Sequence, residues 1–190
     1  MALRNPEVLS IARTQRLEYN TCGDYFYLNR NLCTELNICD NTYLIFIMDE
    51  NVFPLKNAPL NTVPLVTNFP GAKKSENVTV VACCSARKAF IGPFVTSRLI
   101  YRRTLPIGST VVMTDSGYIN VDIFLQWFRS VQKQWFPGNC LLMLDGHSSH
   151  SSLMSLNYRR ESSIVILCLP PHTTHVLQPF DRLVFKPIYT

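Results

Sequence analysis

The sequence predicts an α/β fold built on a mixed sheet, and three observations carry that prediction. Short apolar runs at residues 43–48, 140–144 and 164–169 are bounded by turn-forming residues and read as buried strands. A clear amphipathic helix over 121–136 separates early strands from late ones. The predicted order is strand, strand, strand, helix, strand, helix, strand, helix. That order fits an antiparallel meander followed by parallel strands, with helices flanking the sheet.

The bulk properties set bounds. A chain of 190 residues fits one domain, and 47% hydrophobic against 16% charged residues is the balance of a core-building sequence. Seven cysteines, an odd number without a CxxC pair, make a poor disulfide or zinc-knuckle framework and point to a reducing, intracellular compartment. Residues 1–6 carry no apolar segment of a secretory signal. Apolar runs of about half a dozen residues fall far short of the ~20 needed to cross a bilayer, so no membrane partner is expected. The net charge of +5 is partly paired, at Lys73-Lys74, Arg87-Lys88, Arg102-Arg103 and Arg159-Arg160. Such pairs serve either as a solvated surface or as contacts to a polyanion.

Taken in order, Asn5-Pro6-Glu7 is a helix start, with Asn as N-cap and Pro at the first helical position. A second helix fits 24–37, where Tyr25, Leu28, Leu32 and Leu36 form a packing stripe. These two make a helical lead-in over 1–40, ahead of a main domain over 41–190. The first strand, 43–48, ends on Asp49-Glu50. Residues 51–75, with Pro54, Pro59, Pro64, Pro70 and Gly71, read as an irregular loop. Strands at 77–85 and 89–99 flank a turn at Arg87-Lys88. Tyr101-Arg102-Arg103 is a basic, aromatic corner of the kind that can contact nucleic acid. Asn120 caps the helix over 121–136, whose buried face is Val121, Phe124, Leu125, Phe128 and Val131, with Trp127 and Trp135 beside it. A strand at 140–144, a helix near 151–161, a strand at 164–169 and a last helix opening at Gln178-Pro179 complete the chain.

Three acids fall at element ends: Asp49 after the first strand, Asp145 after the fourth, and Asp181 in the first turn of the last helix. If the first and fourth strands are neighbours, Asp49 and Asp145 meet at one sheet edge. Converging carboxylates repel one another and resist desolvation, and a hard divalent cation relieves both costs. A rival reading uses the histidines, which fall in two pairs, His147/His150 and His172/His175, each after a strand. They could build a zinc or manganese hydrolase site, but no HExxH pattern supports one. Neither a GxSxG elbow nor a GK[ST] phosphate loop is present.

Two long motifs then carry a resemblance. Leu144-Asp-Gly-His-Ser-Ser-His150 and Cys168-Leu-Pro-Pro-His-Thr-Thr-His-Val-Leu-Gln-Pro-Phe-Asp181 closely resemble the DDE superfamily endonuclease domain of pogo/Tigger/jerky-type transposases and transposon-derived proteins. Met48-Asp49-Glu50, Asn77-Val-Thr-Val, Asp115-Ser-Gly-Tyr and the opening Arg4-Asn-Pro-Glu also resemble family segments. The resemblance implies a ribonuclease H-like fold and a metal-binding triad of Asp49, Asp145 and Asp181, holding two Mg²⁺ (or Mn²⁺) ions. Glu50, His147, His150, His172 and His175 would line the site. Lys73, Lys74, Arg87, Lys88, Arg102 and Arg103 would contact DNA. The implied function is Mg²⁺-dependent phosphodiester cleavage and strand transfer on DNA in the nucleus, with self-association left open. The family's upstream helix-turn-helix modules are not seen in this chain. Asn51-Val52 replaces a usual Thr-Gly, Arg182 follows Asp181, and Arg87-Lys88 replaces a small turn. These departures set a second reading beside the first, a domesticated remnant that binds DNA or protein without cleaving.

Overall fold

A computed structural model describes residues 19–55, 76–98, 105–132, 138–146 and 163–180. The elements are α1 (Tyr19–Glu35), a 3-10 turn (Thr42–Leu44), β1 (Ile45–Leu55), β2 (Glu76–Ser85), β3 (Phe90–Ser97), β4 (Thr110–Met113), α2 (Val121–Gln132), β5 (Cys140–Leu144), β6 (Ile164–Cys168) and α3 (Thr174–Leu177). The six strands form one sheet in the order β4-β3-β2-β1-β5-β6. β1, β2 and β3 are an antiparallel meander, while β5 runs parallel to β1 and β6 parallel to β5. The expected mixed sheet is therefore present, with the first and fourth predicted strands side by side.

Period-two alternation divides the apolar residues between two faces. Phe46 and Met48 of β1, Val81 and Cys83 of β2, Leu142 and Leu144 of β5, and Ile164 of β6 pack under α2. The buried face of that helix is Ile123, Phe124, Leu125, Trp127, Phe128 and Val131. Each fully buried side chain of this size contributes about 1.5–3 kcal/mol, so this layer is the principal core. Trp127 is only 1% exposed and stands at its centre, not beside it, while Val121 is half-buried. On the other face, Tyr25 and Cys33 of α1 and Ile38 pack with Leu141, Leu167 and Leu169. Leu28 points outward at 48% exposure. The sealing stripe of α1 thus includes Tyr25 and Cys33 at helical spacing, with Leu32 and Leu36 packed at its margin.

Several elements differ from expectation for identifiable reasons. β1 does not stop at Met48, because β2 is long enough to pair with it from Phe46 through Leu55. Residues 51–55 therefore belong to a strand, and the expected turn after Glu50 is a continuing ladder. β4 is an extra strand, four residues parallel to β3, too short to stand out as periodicity. The C-terminal stretch forms α3 before Gln178, with helical geometry resuming at Pro179 and Phe180. Cys168 is exposed and not a core residue. The expected helices near 5–19 and 151–161 lie outside the described residues, apart from Tyr19, which opens α1.

Two segments singled out for family resemblance meet in the far half of the sheet. The hydroxyls of Thr79 (β2) and Thr96 (β3) donate to the Gly117 carbonyl at 2.7 and 2.8 Å, both buried. Asn77 Nδ2 donates to the Tyr118 hydroxyl at 2.6 Å. Gly117 has φ +76, and a Cβ there would collide with the Asn77 carbonyl oxygen. Only glycine suits that position. Asn120 closes the loop by capping α2, its side-chain oxygen accepting from the Ile123 N–H at 2.9 Å.

Gly117→Ala should cost at least ~2 kcal/mol in urea unfolding, from left-handed backbone strain plus collision. Gly23→Ala, within α1 with open space around it, should instead stabilise by about 0.5–1 kcal/mol. Alkaline pH should also discriminate. Burial and the neighbouring Cys168 push the Tyr25 hydroxyl up to about 12 from 10.0. Burial, then Cys84, pushes the Cys83 thiol well above 9.0, and burial raises Cys140. These groups keep their protons in the fold at a pH where the unfolded chain has lost them, so stability is complete below about pH 8.5 and falls as pH rises toward 12. Thermal midpoints under reducing conditions should be level from pH 7 to 8.5 and decline above it.

Candidate active site

The site begins with a main-chain register. β1 pairs with β5 in parallel through Ile45↔Leu141, Phe46↔Leu142 and Ile47↔Met143. Continued by two places, the same register sets Asp49 across from Asp145. Neighbouring strands lie ~4.8 Å apart. Alternation places Asp49 on the face of Ile45, and Asp145, one residue past β5, on the face of Leu141 and Met143. Those three belong to the layer beneath α1, so both acids are assigned to one face. Asp49 is buried at 7% exposure, with the Glu50 N–H donating to its Oδ1 at 2.9 Å, and Asp145 is half-buried.

Asp49 lies within β1 and not at its end. What ends there is the parallel neighbour, since β5 stops at Leu144 while the β1/β2 ladder runs on. Ala82, opposite Asp49, lies where the β2–β3 register shifts. β3 has an extra residue there, in the stretch containing Gly92-Pro93, and a proline within a strand removes a ladder donor and favours such an irregularity.

A third segment reaches the same place. Gln178 is fully buried, and its Nε2 donates to the Met48 carbonyl at 3.0 Å. Thr173, also fully buried, ties the preceding turn together by donating to the Pro170 carbonyl at 2.7 Å. Leu177 packs against the α1 layer and Phe180 is 2% exposed. Asp181 is the next residue and lies outside the described residues, as do His147 and His150. His172 is exposed, in a turn with φ +64, and His175 falls within α3. Among the described residues no three acid, histidine or cysteine side chains form a metal-holding group.

The basic residues fall elsewhere. Arg87 and Lys88 occupy the β2–β3 turn, with the guanidinium 4.8 Å from the Tyr43 ring centroid. That turn abuts Ile45 through the Ala86 N–H, so about four residues of strand, ~13 Å, separate it from Asp49. The structure does not bring this pair to the carboxylates. Lys73, Lys74, Arg102 and Arg103 lie outside the described residues. Gln178 is the residue that sequence reasoning missed as a site element. Its one signal was a polar amide between the apolar Val176-Leu177 and Phe180, and Pro179 drew that signal into a helix start.

A six-stranded mixed sheet in this order, flanked by helices, is a ribonuclease H-like fold. The family described as DDE superfamily endonuclease matches residues 75–190, more than half of the chain, and the chain belongs to that family. Its fold is similar to that of the Mos1 transposase paired-end complex with left transposon end (TM-score 0.55, 13% identity, covering 99% of this chain and 51% of that one). It is likewise similar to the Mos1 mariner paired end complex with Mn (TM-score 0.56, 12% identity, covering 100% and 52%). The chain is also 29% identical over 166 residues to the MFS-type transporter clz9 of Cochliobolus lunatus, covering 75% of this chain and 18% of that protein. The chain therefore spans about half of the solved transposase chains and under a fifth of the curated relative. Among the described residues no helix is long and apolar enough to cross a membrane.

Hard carboxylate oxygens from adjacent strands suit a divalent cation that accepts oxygen donors and retains water. Mn²⁺ at ~100 times its dissociation constant should stabilise the chain by about 2.7 kcal/mol, or roughly 5–10 °C in thermal midpoint. Asp145→Asn should lose most of that shift. No shift in the wild-type protein would count against a metal centre here.

Proposed function

We propose that this chain is the catalytic domain of a transposase or transposase-derived protein of the pogo/Tigger/jerky type, cleaving DNA phosphodiesters with divalent metal. The observation that carries the reading is the parallel β1–β5 register, which, continued two places past Ile47↔Met143, would align Asp49 with Asp145 on one face near the Gln178 segment. Asp49, Asp145 and Asp181 would hold Mg²⁺ or Mn²⁺. The bound metal would supply Lewis-acid stabilisation of charge on the attacking and leaving oxygens of the phosphate. The chain's own part is geometric. Strands fix the first two acids on a rigid sheet, and burial limits water access to Asp49. The DNA partner is supported by family membership and by the exposed basic turn at Arg87-Lys88, which would engage duplex away from the cleavage point. Residues 1–40 as lead-in and 41–190 as the catalytic unit remain our division, and a nuclear location and self-association are part of the same proposal.

A remnant that binds without cleaving is the less favoured reading. The replacement of the usual Thr-Gly after Glu50 is one of the departures behind it, and β1 accommodates Asn51-Val52 as ladder residues opposite Val80 and Thr79. In the test, purified chain with Mg²⁺ should nick supercoiled plasmid, and Asp49→Asn should slow nicking at least ~100-fold, the effect of losing a few kcal/mol of transition-state stabilisation. Equal nicking by both proteins, or none by either, would overturn the catalytic reading.

A further inference from the structure

We infer that Gln178 is the positioning residue of the carboxylate site, holding the Met48–Asp49 peptide and the chain that leads to Asp181 together through one side-chain amide. The inference rests on the reading just proposed and goes beyond it by assigning a role to a residue outside the acid triad.

Three observations carry it. First, Gln178 is 0% exposed, an unusual place for a long polar side chain outside a sheet. Second, its Nε2 donates to the Met48 carbonyl, which belongs to the peptide unit that leads into Asp49. The paired stretch of β1 and β5 ends at Ile47↔Met143, so the amide takes hold of β1 just beyond its last strand partner on that side. It serves as a one-residue continuation of the ladder, fixing the peptide plane from which Asp49 projects. Third, Gln178 Oε1 is buried with no hydrogen-bond partner among the described residues. A carbonyl acceptor compels the NH₂ end to face Met48, which leaves the amide oxygen unsatisfied. An apolar side chain would carry no such unsatisfied oxygen, and stability alone does not account for the glutamine.

The flanking residues make the hold two-sided. Leu177 and Phe180 anchor the segment in apolar surroundings on either side of exposed Pro179. Asp181 is three positions from the amide and one from the Phe180 anchor. The same hydrogen bond therefore fixes the origin of Asp49 and holds the segment 177–180, which Asp181 follows in sequence.

The test measures Mn²⁺ binding by electron paramagnetic resonance on the 190-residue chain, with thermal midpoints in chelator as a control for folding. Gln178→Met keeps length and volume but loses the donor. It also removes the unsatisfied Oε1, so its metal-free midpoint should stay within a few degrees of wild type. Its Mn²⁺ affinity should fall roughly 10–100-fold, the range for residues that orient metal ligands from behind. Gln178→Glu supplies a second readout. Its ionised carboxylate cannot donate to Met48, whereas the protonated acid can. The ratio of its Mn²⁺ affinity to that of wild type should therefore rise as pH falls from 7.5 to 5.5. Unchanged affinity in a folded Gln178→Met would overturn the positioning role and leave the triad intact. If that variant does not fold, a pH-independent ratio for Gln178→Glu would do the same. Absence of Mn²⁺ binding by the wild-type chain would instead defeat the metal-site reading on which this inference depends.

Discussion

The parallel contact between β1 and β5 is the constraint on which the rest depends. It joins a meander made early in the chain to strands separated from it by α2 and the loops around it. A parallel pair needs a crossover, and α2 supplies it by covering the face that holds Phe46, Met48, Leu142 and Leu144. The opposite face is covered by α1, through Tyr25 and Cys33. With both faces covered, β1 and β5 stay apolar through Met48 and Leu144, one place past the last pair, and an acid follows each. Continued two places past Ile47↔Met143, that register sets Asp49 across from Asp145.

The far half of the sheet shows the same economy in structural use. Thr79, Thr96, Gly117, Tyr118 and Asn77 form a hydrogen-bonded knot that fixes the loop before α2. This knot sets where α2 begins, and the helix in turn packs over the strands that carry the acids. Two of the segments that resemble the family are thus accounted for by folding. Their role is to hold the crossover helix over the strand pair, whereas Gln178 bonds to β1 where β5 stops.

Much of this was legible in the sequence, and the parts that were not have physical causes. The strands at 140–144 and 164–168, the antiparallel meander and the Asn120 cap depend on local patterns of apolar residues and breakers, which a sequence displays directly. β4 is four residues long and is defined by its pairing with β3, so its evidence is non-local. The extension of β1 through Leu55 likewise depends on the length of β2, and Pro54 argued locally against it. Asp49 lies within a strand and not at its end, because β2 carries the β1 ladder on past the point where β5 stops. Gln178 was invisible as a site residue because its meaning lies in a contact to Met48, 130 positions away. His172 and His175 carried the louder signal, yet the described surroundings give His172 an exposed turn.

The buried polar groups sort the molecule into scaffold and site. The Thr79 and Thr96 hydroxyls meet the Gly117 carbonyl, the Thr173 hydroxyl meets the Pro170 carbonyl, and Ser85 Oγ accepts from the Ala89 N–H at 3.2 Å. Each of these is satisfied locally, and each holds a turn or a loop in place. Gln178 breaks the pattern, with one end bonded and the other end orphaned. An unsatisfied buried amide oxygen costs about 1–3 kcal/mol, a large share of the marginal stability of a domain this size. Such a departure from an otherwise consistent fold is expected where geometry is fixed for chemistry and not for stability. The bonded end grips the Met48 carbonyl, so the departure lies one peptide from Asp49.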